Sequence, residues 1–399
     1  MRFSLCFIFW LFFWACTPKQ IAKSRTVAPA QSLTTTLSVG AARFDQYLPL
    51  LAGKRVALVV NQTSEVAGKH LVDTLLAQKV NIKLIFAPEH GFRGTADAGE
   101  KVKNDIDAAT GIPLLSLYGK DKKPSAESLK EIDILIFDIQ DVGVRFYTYI
   151  STMHYVMEAC AEQNKPLIVL DRPNPNGNYI DGFMLERQYQ SFVGMHPIPL
   201  VHGLTVGELA LMINGEKWLE KGLQCSLTVI KCDNYTHNTP YSLPVRPSPN
   251  LPNDRSVYLY PSLGLFEGTV VSVGRGTDSP FQVIGTPDYP DKVFSFTPKS
   301  TEGAKTPPYK DQTCYGIDLR TTTEWKHRFS LHEIIRFYQK SPKKDQYFNS
   351  FLTKLAGTTK LREMIEAGKT EDQIRATWQD DLSQYKKMRK NYLLYPDFE

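Results

Sequence analysis

Metal-binding and redox signatures are missing from this chain. It carries six cysteines in 399 residues, none in a C-x-x-C pair, which argues against a zinc ribbon or a thioredoxin-type centre. Its eight histidines include no pair at ligand spacing beside the acidic clusters, so no metal is expected. No serine sits in a G-x-S-x-G elbow, the turn that serves Ser–His–Asp hydrolases. Gly274-Arg275-Gly276 lacks the third glycine and the strand–helix setting of a dinucleotide fingerprint, and no cofactor is expected. Basic residues form no long block. The net charge is +5, and Lys386–Lys390 (KKMRK) reads as a solvated helix face, so nucleic-acid binding is unsupported. No apolar run reaches the about 20 residues of a membrane-spanning helix, and no internal repeat is present.

The N-terminus does carry a signal. Arg2 precedes an apolar run, Leu5–Ala15, of a length that suits a signal-peptide core. It ends at Ala15-Cys16, which resembles a bacterial lipoprotein cleavage site. Residues 1–15 are then a signal peptide, and 16–38 a Ser/Thr/Ala/Pro-rich flexible tether anchored to membrane only through lipid on Cys16. The expected location is periplasmic or cell-surface. Cys160, Cys225, Cys232 and Cys314 remain for the fold and read as buried free thiols.

Hydrophobic content of 42% with 22% charge is that of a globular chain, and the length suggests two domains. Arg55–Thr63, Ile82–His90, Ile134–Asp141 and Pro166–Pro173 are near-continuous Val/Ile/Leu runs ending in polar residues. Such runs suit parallel strands covered on both faces, alternating here with helices at His70–Val80 and Thr148–Gln163. The fold class is α/β: a doubly wound parallel-sheet domain over 39–200, then a smaller α+β domain over 201–399. In the latter, Thr205 and Glu208 have the spacing of a capping box and Ser242–Asn253 must be a loop. Strands are expected at Cys225–Lys231, Val270–Val273, Phe281–Ile284 and Cys314–Leu319. Helices are expected near Leu331–Gln339, Leu361–Ala367 and Thr370–Tyr392.

Ligands of open α/β sheets bind beyond the strands' carboxyl ends. Three polar motifs lie there. Glu89-His90-Gly91-Phe92-Arg93 places a carboxylate that Phe92 and the second domain can shield, raising its pKa for proton donation. Asp138, Gln140, Asp141, Arg145, Tyr147 and Tyr149 form the densest cluster, with tyrosine faces of the kind sugar rings pack against. Asp171, Arg172 and Asn174 open a rigid turn. The second half adds His202, Asn250, Glu267 and Arg275.

Together these motifs resemble, over nearly all of the chain from about Val39, the bacterial exo-β-N-acetylmuramidases of the NamZ type. The resemblance implies a Rossmann-like domain joined to a smaller α/β domain, with the active site in the cleft between them. It also implies release of terminal N-acetylmuramic acid from the non-reducing end of peptidoglycan fragments, a step in cell-wall recycling. The catalytic glutamate of the family's Glu-His-Gly motif falls on Glu89. The second catalytic group is open between Asp141 and Glu267. A third route uses the substrate's own acetamido group, oriented by Asp138 or Asp141. Arg145 or Arg275 suits the sugar's lactyl carboxylate. A surface lipoprotein that binds cell-wall sugars without cleaving them is the alternative.

Overall fold

The computed structural model describes residues 1, 36–92, 104–321 and 325–399. The expected signal segment, Cys16 and Arg93 lie outside them. Seven strands form the central sheet: β1 (Arg55–Val60), β2 (Asn81–Ala87), β3 (Asp105–Ile106), β4 (Pro113–Ser116), β5 (Ile134–Asp138), β6 (Leu167–Leu170) and β7 (Leu227–Ile230). Their order is β7-β6-β5-β1-β2-β4-β3. Every pairing is parallel except that of the edge strand β3. The chain winds outward from β1 in one direction, then returns to β5 and winds the other way. A topological switch therefore lies between β1 and β5, where open α/β sheets bind ligands.

Strand alternation explains why the sheet reads as unbroken apolar runs. Val56, Leu58 and Val60 of β1 face one core layer, with Tyr47 and Leu51 of α1 (Phe44–Leu51) and Leu71 and Leu75 of α2 (Leu71–Ala77). Ala57 and Val59 face the other layer, with α4 (Tyr149–Glu162) and α5 (Val206–Gly215); α3 is the short turn Ala126–Leu129. Leu135, Phe137, Leu167 and Val169 share that second layer, while Ile134, Ile136, Ile168 and Leu170 share the first. Both faces are buried, so selection for polar residues on either is absent.

The second layer runs without a break into the rest of the chain. Leu259 and Leu263 of α6 (Asp254–Leu263), Ile334 and Phe337 of α7 (His332–Lys340), Leu352 and Leu355 of α8 (Phe351–Ala356), Trp378, and Tyr385 belong to it. A three-stranded antiparallel sheet, β8 (Val283–Thr286), β9 (Ser295–Phe296) and β10 (Cys314–Asp318), completes this part. Leu37–Glu399 is one unit with a shared core. The strand at 227–230 belongs to the central sheet, so that sheet takes its far edge from beyond residue 200.

Four local expectations need correction. Val270–Val273 is no strand: Ser272 makes only an isolated bridge to Gly285, and Val271 and Val273 are core filling. The long helix expected over 370–392 is two, α10 (Glu371–Ala376) and α11 (Gln379–Arg389), after α9 (Lys360–Glu366); the fully buried Trp378 sits at their junction. The KKMRK stretch is not wholly solvated. Arg389 is buried and donates through Nε and Nη2 to the Gly203 carbonyl, with Asp397 as ion-pair partner. Finally, α6 went unforeseen. The capping box at Thr205 and Glu208 is present, the 242–253 loop carries no regular structure, and the four described cysteines are free and buried. Among the described residues no helix is long and apolar enough to cross a membrane.

Candidate active site

Beyond the carboxyl ends of β2 and β5 lies a cavity of about 280 Å³. Residues from both parts of the chain line it: Glu89 and His90 after β2, Phe146–Tyr149 ahead of α4, the 248–251 loop, Tyr260, Glu267, Arg275 and Phe281. The 248–251 loop is tied down by its own backbone. Pro247 O accepts hydrogen bonds from the hydroxyls of Tyr147 (2.7 Å) and Tyr149 (3.2 Å) and from Gln62 Nε2 (3.2 Å).

Glu89 is 9% exposed at the cavity wall. Thr148 Oγ1 donates to its Oε2 at 2.6 Å, and the Tyr118 hydroxyl lies near enough to feel its charge. Thr148 is the cap position of α4, yet its hydroxyl makes no cap bond; it is spent on Glu89 instead. Burial and the neighbouring Glu89 carboxylate push the Tyr118 hydroxyl up, so it remains a donor. The backbone just after Glu89 turns sharply: His90 has φ +68° and Gly91 φ +76°, a left-handed pair that costs a non-glycine residue energy. His90 Nε2 lies 3.3 Å from Ser248 Oγ. Phe92 does not line the cavity. It packs edge-on to His70 at 4.9 Å, in the core layer behind the loop, so the apolar screen beside Glu89 comes from other rings.

The second part of the chain contributes Glu267 and Arg275. Arg275 Nε donates to Glu267 Oε1 at 3.0 Å and its Nη2 lies 2.8 Å from the same oxygen, and its guanidinium lies over Phe281 at 5.0 Å. Glu267 Oε2 accepts no hydrogen bond among the described residues. Tyr260 joins the two halves electrostatically. Burial raises its hydroxyl well above the usual range, with the carboxylates of Glu267, Glu89 and Asp141 adding and Arg275 opposing. Asn250 also lines the cavity, with Nδ2 donating to Gly303 O at 2.8 Å.

Tyr147 and Tyr149 are in the wall but do not offer flat faces. Their rings meet edge-on at 4.8 Å, and Tyr147 meets Tyr260 the same way at 5.9 Å. They build the wall by packing against one another.

The remaining strand-end residues line no part of the cavity. Asp138 is fully buried and paired with Arg172, whose Nε and Nη2 reach its two oxygens at 2.6 and 2.8 Å. Asp141 Oδ2 accepts from Gly143 N at 2.7 Å, and His202 Nε2 lies 3.7 Å away. His202 Nδ1 accepts from Leu204 N. Gln140 Nε2 donates to the Asp141 and Pro173 carbonyls. Asn174 braces its turn through Leu204 O and Asn176 N. Arg145, expected to meet a substrate carboxylate, is fully buried and donates to four carbonyls instead: Phe183, Ile198, Leu355 and Ala356. Burial pushes it down to about 9, so it stays charged at neutral pH. These side chains are struts between loops.

Asp171 is the most connected strut. Its Oδ1 accepts from Arg172 N (3.0 Å) and Gly207 N (2.8 Å), its Oδ2 from Thr205 Oγ1 (2.7 Å) and Tyr395 OH (2.5 Å). Burial pushes this acid up to about 6, against the opposing pull of those donors. An acid raised in the fold binds its proton more tightly there than in the unfolded chain. Its contribution to stability is therefore fullest below about pH 4 and falls as pH rises through 6, by roughly 3 kcal/mol. Asp171→Asn keeps the two N–H acceptor contacts and lets Thr205 and Tyr395 accept from the new amide. Urea unfolding of both proteins between pH 4 and 7 should show the variant gaining on wild type by about 2–3 kcal/mol; a constant difference would refute the assignment.

Tyr118, Thr148, Phe192, Tyr260 and Phe281 line the cavity without having been singled out. One was detectable. Phe192-Val193 is an apolar pair framed by Ser191 and Gly194, and two half-buried apolar residues at a turn tip need a reason to be there. Tyr118 follows β4 at the same sheet edge as Glu89, which flags it once the sheet is drawn.

Fold and site together define a glycoside-hydrolase type of protein: carboxylates from two parts of the chain, in a ring-walled cavity beyond a parallel sheet. Family models described as exo-β-N-acetylmuramidase NamZ match the chain over residues 56–255 (N-terminal part) and 258–395 (C-terminal part), and the chain belongs to that family. A Bacillus subtilis relative, named peptidoglycan β-N-acetylmuramidase NamZ, is 42% identical over 378 residues, covering 88% of this chain and 89% of its own. Two crystal structures of DUF1343 family proteins from Bacteroides fragilis are similar. One has a TM-score of 0.85 at 49% identity, covering 91% of this chain and 100% of its own. The other has 0.75 at 30%, covering 90% and 99%.

Proposed function

We infer that this protein is an exo-acting glycosidase that removes terminal N-acetylmuramic acid from the non-reducing end of peptidoglycan fragments. The observation that carries this reading is the placement of Glu89 and Glu267 in one ring-walled cavity of about 280 Å³. That volume lies at the low end for small-molecule sites, about 300–1,000 Å³. It is too small for a running strand, as exo action requires. The relative from Bacillus subtilis bears the name of the same activity.

Glu89 is the proton donor to the glycosidic oxygen. Thr148 holds it in place. Glu267 is the second carboxyl, because it lines the cavity and Asp141 does not. Its Oε2 can orient an incoming water or the acetamido group of the substrate. Arg275 is the guanidinium on hand for a lactyl carboxylate, since Arg145 is spent on carbonyls. The Ala15-Cys16 junction supports a lipid-anchored enzyme at the cell envelope, periplasmic or cell-surface.

Incubation with N-acetylmuramyl-β-1,4-N-acetylglucosamine should yield both free sugars, while the fragment with N-acetylglucosamine at its non-reducing end should stay intact. Saturable binding without release would favour the sugar-binding alternative and sink this reading.

A further inference from the structure

A proton donor must sit beside the oxygen that joins the departing unit to the retained one. The leaving sugar therefore lies next to Glu89, and the surface adjoining Glu89 decides how it is held. Tyr118 is that surface, since it lines the cavity with Glu89 and its hydroxyl lies within reach of the Glu89 charge. Phe192 adjoins it, with ring centroids 6.0 Å apart, and both line the cavity.

The backbone around Phe192 is built for display. Ser191 and Gly194 exchange two hydrogen bonds, Ser191 N to Gly194 O (2.9 Å) and Gly194 N to Ser191 O (3.0 Å). Phe192 and Val193 are left at the tip of the tight turn, half-buried. Hydrophobic side chains at a turn tip gain little by burial within the fold. Phe192 is also braced: Tyr155 stacks on it at 6.3 Å with rings 16° apart, while Lys122 Nζ sits over the ring 4.5 Å from its centroid, a flexible side chain that an incoming sugar displaces. A ring fixed on such a support loses little entropy when something lands on it.

We propose that Phe192, with Tyr118 beside it, is the platform for the leaving sugar: a pyranose whose apolar C–H face packs on the rings. In peptidoglycan that unit is N-acetylglucosamine, a neutral sugar that requires no charged partner. The proposal rests on the exo-glycosidase reading and adds a determinant of which aglycone is accepted. Tyr118 also lies beside Glu89, so Phe192 is the cleaner probe.

Two substrates separate the platform from the rest of the site. N-acetylmuramyl-β-1,4-N-acetylglucosamine has a ring to seat; the β-fluoride of N-acetylmuramic acid has none. In Phe192→Ala, kcat/KM on the disaccharide should fall roughly tenfold or more, as expected for loss of an aromatic contact. Turnover of the fluoride should stay within about twofold and reports an intact fold. Phe192→Trp should restore most of the disaccharide activity. Equal loss on both substrates would make Phe192 a mere support of the cavity and overturn the proposal, as would no loss on either. Failure of wild type to consume either substrate would instead overturn the activity itself.

Discussion

Glu89→Gln is expected to reduce kcat on the disaccharide by about 10²–10⁴, the range that a positioned general acid supplies, with KM within a few-fold of wild type. Glutamine keeps the shape and can still meet the Thr148 hydroxyl, which can rotate to donate to its carbonyl or accept from its amide. Binding should survive. The deficit should shrink on an aryl glycoside whose phenolate leaves without protonation, since a donor matters only when the departing oxygen needs a proton. Steady-state kinetics on both substrates, with calorimetric binding of N-acetylmuramic acid, measure this. A variant that keeps more than a tenth of wild-type kcat on the disaccharide would remove Glu89 from the proton-transfer role.

The second large effect concerns stability. Arg145→Met should cost on the order of 3–5 kcal/mol. Four carbonyls, Phe183, Ile198, Leu355 and Ala356, would lose their donor inside the fold. Each orphaned group costs about 1–3 kcal/mol, offset in part because the buried charge disappears too. Arg145→Lys should recover little, because a compact ammonium cannot fork toward four acceptors on different segments. The site should feel the loss as well. Two of the acceptors end α8, whose Phe351 and Leu355 line the cavity. Gly357, the cap after that helix at φ +75°, leaves room for the guanidinium: a Cβ there would lie 2.7 Å from Arg145 Nη2. Denaturant unfolding of both variants gives the test, and a loss under about 1 kcal/mol would show that water replaces the missing donor.

The central sheet was legible because its physics is one-dimensional. A strand buried on both faces has to be apolar along its length; β6 is so throughout, and β1 and β5 depart only at their end residues Arg55 and Asp138. The second half was harder because its segments are short and held by contacts distant in sequence. Pro261 inside α6 masks a helix, and Val270–Val273 fills a core without pairing. Among site residues, Glu89, His90, Asn250, Glu267 and Arg275 do line one cavity. Asp138, Asp141, Arg145, Asp171 and Arg172 do not, for a common reason. Polar groups at strand ends serve either a ligand or each other, and which of the two depends on side-chain direction. A sequence carries no record of that direction. Asp138 ends β5 and Arg172 lies in the loop after β6, 34 positions on, yet they bond at 2.6 Å.

The left-handed step at His90 and Gly91 bears on how this enzyme can diversify. Only glycine, and to a degree asparagine or aspartate, adopts that conformation at small cost, so a β-branched side chain at position 90 would twist the acid away from its target. Thr148 acts through a single hydroxyl that other side chains can imitate. Laboratory libraries aimed at new sugar specificity would thus do well to leave positions 90 and 91 nearly untouched and to spend their variation on the rim.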